Sequence, residues 1–196
     1  MNRPRPRQRT PVEAPRLIAF HKPPGVLSQW TDDPHWPGLA RHLHLPGFYP
    51  AGRLDHDSEG LLLLTNDGAL RAHLTRPDSG MPKTYLALVE GQPHDDALGA
   101  FRAGLMLSDG PTRPAAADPV EPPDWRPTAE EPPGTWLRII LTEGRNRQVR
   151  RMARAIGHPV HRLIRWSVGS ITLADLAPGA WREVSPPAPP RPPPRP

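Results

Sequence analysis

The 196-residue chain contains no cysteine. That removes disulfides and the usual thiolate zinc sites, and it fits a reducing, cytoplasmic setting. No window approaches the ~18 consecutive apolar residues of a membrane span, and Met1-Asn2-Arg3-Pro4-Arg5-Pro6 has no apolar run behind it. These absences describe a soluble, untargeted protein with no membrane role. Acidic residues are missing from one stretch in particular. Residues 145 to 165 hold seven arginines and no Asp or Glu. A solvated helix face normally mixes signs to gain i,i+4 pairs, so an unmixed row points to a phosphate backbone.

Elsewhere the charge is unremarkable. The net charge of +5 comes from the ends: residues 1 to 16 hold five Arg and one Glu, residues 187 to 196 hold two Arg, and the middle carries −1. Proline divides the chain in the same way, since 20 of its 31 prolines lie in 1 to 16, 111 to 133 and 186 to 196. Segments so rich in a residue without an amide donor form neither helix nor sheet. The expected organisation is therefore a basic Arg/Pro-rich tail over 1–16, one folded domain of two lobes over 17–185, and a Pro-rich tail over 186–196. A proline-rich surface excursion, 118–133, should interrupt the domain between strands.

Strands are predicted at Leu17–Lys22, Leu61–Thr65, Lys83–Gly91, Trp136–Leu141, Val160–Trp166 and Ser170–Leu173. Helices are predicted from a cap at Asn66 or Asp67 to Thr75, over Asp95–Ala103, and after a cap at Asn146. In the last helix, Val149, Met152, Ala153 and Ile156 form one apolar stripe. Arg147, Arg151 and Arg154 point away from that stripe, whereas Arg150 lies on its border and should meet something within the protein. Without strict βαβ alternation, the fold class is α+β, a mixed and largely antiparallel sheet with flanking helices.

The most informative stretch is Gly52-Arg53-Leu54-Asp55-His56-Asp57-Ser58-Glu59-Gly60, which runs into four leucines, Leu61 to Leu64. Its alternating acids begin like a calcium loop, but the twelfth position, where a bidentate Glu is needed, is Asn66. No metal is expected. A glycosidase-like carboxylate pair and a plain turn of solvated acids remain open on spacing alone.

Taken together, Gly52–Gly68, Lys83-Thr84-Tyr85, Glu143–Met152 and Arg162-Leu163-Ile164-Arg165 resemble the motif set of the RsuA-type bacterial pseudouridine synthases. Phe20-x-Lys22-Pro23, Asp109-Gly110-Pro111-Thr112 and Trp181–Val184 are most similar to the RluE type, which modifies large-subunit ribosomal RNA. Only 16 residues precede Leu17, too few for the small N-terminal RNA-binding domain of related types.

The resemblance implies a pseudouridine synthase fold with a central RNA-binding cleft, and isomerisation of a uridine to pseudouridine without metal or cofactor, by a monomer acting on large-subunit rRNA or its assembly precursor. By the same resemblance Asp55 is the nucleophilic aspartate, Tyr85 stacks on the target base, and Arg150 pairs with Asp55 to stabilise the anion once RNA excludes water. Arg53 would fill the gap left in the RNA stack when the base flips out. Leu163 and Ile164 would line the pocket, and Lys22 has no assigned role. Arg145, Arg147, Arg151, Arg154, Arg162 and Arg165 are expected to hold phosphates. Asp57 and Glu59 should set loop geometry, and His56 should turn away from Asp55. A non-catalytic RNA-binding assembly protein and an N-glycoside hydrolase are the competing functions.

Overall fold

A computed structural model describes residues 14–76, 79–123 and 131–187. The chain opens with β1 (Leu17–Lys22), continues through a single 3-10 turn at Leu39–Arg41 and β2 (Tyr49–Pro50), and reaches β3 (Glu59–Thr65). Helix α1 (Gly68–Thr75) follows, capped by Asp67, whose carboxylate accepts the Leu70 amide at 2.6 Å. Then come β4 (Lys83–Glu90), α2 (Asp95–Ala103), a small hairpin of β5 (Met106–Leu107) and β6 (Gly110–Pro111), β7 (Ala116–Pro119) and β8 (Gly134–Leu141). The last elements are α3 (Gln148–Ala155), β9 (Val160–Val168), β10 (Ile171–Thr172) and β11 (Trp181–Val184).

One mixed sheet runs in the order β11-β1-β3-β9-β4-β8-β7, with β2 and β10 attached beside it. Among the described residues every pairing is antiparallel except β3 with β9, where Glu59 lies opposite Ile164 and Gly60 opposite Arg165. The α+β expectation of a mixed, largely antiparallel sheet with flanking helices therefore holds.

The four leucines explain the centre. Leu61 and Leu63 enter a core with Leu74, Leu88, Trp136 and Ile164, while Leu62 and Leu64 enter another with Phe20, Leu39, Phe48 and Leu54. A strand covered on both faces has no reason to alternate with polar residues. A third core joins α2 and α3 to the other half of the sheet through Phe101, Leu137, Val149 and Met152. Where β3 meets β9 the backbones nearly touch: a Cβ at Gly60 would lie 2.4 Å from the Arg165 carbonyl oxygen, and Gly60 has φ +104°. Glycine is required there on both counts.

Three boundaries differ from expectation. Arg16 belongs to the folded part, because its guanidinium pairs with Glu183 at 2.8 Å and its amide donates to Asn66. Asp118 and Pro119 lie in β7, paired with Arg138 and Leu137, so the excursion starts later; residues 124–130 fall outside the described residues. Asn146 does not cap α3. The residue before that helix is Arg147, in the left-handed region at φ 46°.

Candidate active site

The loop between β2 and β3 is held by its carbonyls. Ser28 Oγ donates to the Leu54 carbonyl at 2.7 Å and accepts the Leu54 amide at 2.9 Å. Arg165 donates to the Arg53 carbonyl at 3.2 Å, and the Ser58 amide closes a turn on the Asp55 carbonyl at 3.1 Å. The His56 carbonyl accepts from the Gly25 amide and, at 3.4 Å, from Lys22 Nζ; the Asp57 carbonyl accepts from Arg150 at 3.0 Å. Five consecutive carbonyls are thus satisfied, and Leu54 is sunk in the core beneath them. Such complete backbone accounting makes the loop rigid.

Its two carboxylates and that of Glu59, the first residue of β3, have different surroundings. Glu59 is buried and bonded to Arg162 at 2.5 Å, and Arg162 also pairs with Glu131. Asp57 receives two hydrogen bonds from Arg147, at 3.1 and 2.9 Å, with Arg150 at 3.4 Å. Partial burial opposes ionisation of Asp57, but the Arg147 hydrogen bonds and the charges of Arg150 and Arg147 outweigh it and hold the carboxyl below its usual range. Asp55 makes no side-chain hydrogen bond among the described residues. Its ionic contact is Arg147 Nη1, 3.4 Å from Oδ2, and its side chain is 31% exposed.

Asp55 lines a cavity of about 360 Å³ together with Tyr85 of β4, Leu163 of β9, Leu141 of β8, Arg145 and Arg147. Tyr85 stands opposite Arg165 across β4 and β9, next to a register irregularity between Thr84 and Tyr85. Ile164 is fully buried in the core, so of the two residues expected in the pocket wall only Leu163 serves there.

The expected pairing of Asp55 with Arg150 is not what the structure holds. Arg150 bonds the Asp57 and Val160 carbonyls, and its nearest carboxylate is that of Asp57. Arg147 takes the place beside Asp55. The physical reason is its left-handed backbone, which turns the side chain back from the start of α3 toward the loop at a cost on the order of 1–3 kcal/mol.

Two of the arginines expected on the RNA surface are instead internal supports. Arg165 is 5% exposed and spends its donors on the Leu61 and Arg53 carbonyls. Arg162 is engaged by Glu59 and Glu131 as described. Nor is the remaining row uncompensated: Asp109, in the turn between β5 and β6, bonds Arg145, and it also accepts two hydrogen bonds from Arg151 at 2.8 and 3.0 Å. The Arg151 and Arg145 hydrogen bonds hold the Asp109 carboxyl far below the usual carboxylate range. Arg53 and Arg154 remain exposed, with no side-chain partner among the described residues.

Sequence reasoning gave Lys22 no role. It is fully buried beside the loop and donates to the Pro23, Val26 and His56 carbonyls at 2.8, 2.7 and 3.4 Å. Burial lowers its pKa to about 8, against the opposing charges of Glu59, Asp57 and Asp55. The one available signal was its place before Pro23-Pro24-Gly25, at the end of an apolar strand. Among the described residues, no group of three or more His, Asp or Glu side chains is placed to hold a metal ion, and no helix is long and apolar enough to cross a membrane.

Residues 16–155 match the family model of the RNA pseudouridylate synthases. The chain belongs to that family. Among curated members, it is 46% identical over 182 residues to the ribosomal large subunit pseudouridine synthase E of Vibrio parahaemolyticus, covering 90% of this chain and 76% of the relative. It is 48% identical over 178 residues to the protein of the same name from Xanthomonas campestris pv. campestris, covering 85% and 94%. A crystal structure of a pseudouridylate synthase superposes with a TM-score of 0.76 at 28% identity, covering 90% of this chain and 73% of the other. A structure of an H/ACA RNP bound to a substrate RNA containing 2′-deoxyuridine shares the fold at a TM-score of 0.57 and 19% identity. The pseudouridine synthase fold read from the motifs is therefore the fold of this chain. Its cavity joins a carboxylate that, among the described residues, no side-chain hydrogen bond occupies, an aromatic ring and a cationic rim.

Proposed function

We propose that the chain converts a specific uridine of large-subunit ribosomal RNA, free or in an assembly precursor, to pseudouridine, as a monomer in the cytoplasm and without metal or cofactor. The observation that carries this reading is Asp55: among the described residues its carboxylate, alone of those of Asp55, Asp57 and Glu59, makes no hydrogen bond, and it faces the cavity shared with Tyr85. The names of the similar proteins support the choice of RNA.

In the reaction the C1′–N1 bond breaks, the uracil turns, and a C1′–C5 bond forms. The hydrogen on C5 leaves as a proton and N1 gains one, so atoms balance with no redox change. The target nucleotide must leave its stack to reach Asp55, and a cavity of about 360 Å³ is within the range of sites that enclose a small ligand. Tyr85 stacks on the flipped base. Arg147 stabilises the Asp55 anion when RNA displaces water from the cavity, a role a charge 3.4 Å away is placed to fill. Arg53 enters the gap in the stack, and Arg145, Arg151 and Arg154 face the phosphates. The Asp55 anion is the nucleophile on which bond cleavage depends.

Tritium release from ribosomal RNA labelled at C5 of uridine tests the reading, because C5 must lose its hydrogen. Wild-type protein is expected to release tritium and Asp55→Asn none, with RNA affinity retained. Free uracil as product would make the chain a hydrolase. No release from either protein, on naked RNA and on subunit precursors, would leave an RNA-binding assembly protein.

A further inference from the structure

A second, smaller concavity of about 130 Å³ adjoins the first, sharing Arg53, Leu54, Asp55 and Arg147 with it and adding Gln29 and His56. The His56 ring lies against Trp36, with centroids 4.7 Å apart and planes tilted by 33°. Trp36 comes from the loop after β1 and is 41% exposed, one of few large apolar side chains left in water among the described residues. The arrangement is tied to the catalytic loop, since the Gly25 amide donates to the His56 carbonyl at 2.7 Å. The Gln29 amide nitrogen donates to the Thr31 carbonyl at 3.1 Å, which leaves its oxygen as an acceptor at the rim.

We propose that this concavity is a base-binding subsite, in which an unpaired nucleobase flanking the target uridine stacks on His56 backed by Trp36. The inference rests on the RNA substrate proposed above and specifies how that RNA is read. Three features favour a nucleobase over other occupants. The two concavities meet at Asp55, so whatever fills the second is adjacent to, and for RNA covalently continuous with, the nucleotide in the first. Arg53, exposed and with no side-chain partner among the described residues, lines both, so the side chain that fills the gap in the stack stands between the two nucleotides. Paired aromatic rings beside cations are the general means of holding single-stranded bases, each of which has a π-face.

The test is equilibrium binding, by fluorescence anisotropy, of labelled hexauridylate and of an abasic hexamer with the same backbone charge, using full-length protein. Trp36→Ala and His56→Ala are each expected to weaken hexauridylate binding about thirtyfold, the middle of what one stacked base contributes. The abasic hexamer should change by less than about twofold, since stacking requires a base. His56→Phe, which keeps the ring and drops the imidazole, should bind hexauridylate within about twofold of wild type. Equal losses on both probes, or no loss on either, overturn the proposal. If an alanine variant fails to fold by circular dichroism, His56→Leu replaces it, keeping bulk without an aromatic face. The measurement involves no turnover. Base-dependent binding by a protein that releases no tritium would keep the subsite and remove the isomerase, and the reverse result would do the opposite.

Discussion

Asp55, in the loop, and Glu59, the first residue of β3, stand four residues apart, and each faces an arginine, yet the Glu59 side chain is 3% exposed and that of Asp55 31%. Glu59 lies where β3 begins to pair with β9, so its carboxylate is desolvated and must be bonded; Arg162 and the start of the parallel pairing supply that. Asp55 lies where the loop is farthest from either strand, and its neighbours' carbonyls rather than its own carboxylate satisfy the donors around it. The same stretch of chain thus builds one acid into the scaffold and leaves the other available. The difference comes from where the hydrogen bonds go, not from residue type.

Substituting the two acids should separate these roles. Asp55→Asn preserves the loop, since its carboxylate supports no hydrogen bond among the described residues, and should lower the rate by about 10⁴-fold or more with melting temperature unchanged. Glu59→Gln should do the reverse: removing one member of a buried pair costs about 3 kcal/mol, near the lower end of such losses because Arg162 keeps Glu131. Thermal unfolding should fall by roughly 10 °C, while the rate per folded molecule stays within a few-fold. A large rate loss in Glu59→Gln at full folding would break the comparison.

Lys22 sharpens the scaffold side through pH. Its folded pKa, about 8, lies below the unfolded value of 10.5. Below pH 8 both states are protonated and burial of the charge is a constant penalty, about 3 kcal/mol for a shift of this size. Between pH 8 and 10.5 the unfolded chain binds the proton and the folded chain does not, so this group's contribution to stability rises with pH. Lys22→Met is expected to be less stable at pH 7, having left three carbonyls without their donor, and to lose that rise. Denaturant titrations of both proteins from pH 7.5 to 10.5 would show parallel curves if Lys22 were not the group.

How far the site was legible follows from which relationships are local. The leucine run announced a strand, Asn66 or Asp67 announced the start of α1, which Asp67 caps, and the helical wheel put Arg150 half inside the protein, where it bonds two carbonyls. Each of these depends on residues within a few positions. Arg147 was misjudged because it precedes α3, where the wheel does not apply and a left-handed backbone decides the direction. Arg162 and Arg165 were assigned to RNA because β9 was read for its charge, while their partners lie about a hundred residues away at the β3 junction. Asp109 is 36 residues from Arg145, and nothing in either segment names the other. Motif resemblance found Asp55 and Tyr85, which share the cavity; the pairing that surrounds them required the fold.

Two cationic positions extend the comparison to smaller effects. Arg147→Ala removes the charge beside Asp55 and the two bonds to Asp57, and should lower kcat/KM roughly 10- to 100-fold through misplacement of the loop and loss of anion stabilisation. Arg150→Ala should instead destabilise the protein, because that side chain is largely buried and serves backbone carbonyls.

Asp109→Asn should have the smallest effect, and its sign is informative. The carboxylate occupies Arg145 and Arg151, the two donors that a phosphate at the cavity rim would otherwise meet. Because the Asp109 side chain is about half exposed, its ion pairs contribute little to stability in water. What it alters is local charge: neutralising it removes the opposing carboxylate from Arg151 and from Arg145, which still donates to the Gly110 and Pro111 carbonyls, so that both charges can release counterions from RNA. Affinity for ribosomal RNA at low salt should rise a few-fold, and the slope of log K against log salt should steepen by about 1 to 2, near 0.7–0.9 for each further phosphate neutralised. A salt titration of binding measures both. A fall in affinity would mean that Asp109 holds Arg145 in its working position, and would move the β5–β6 turn from a competitor of RNA to a support of the site.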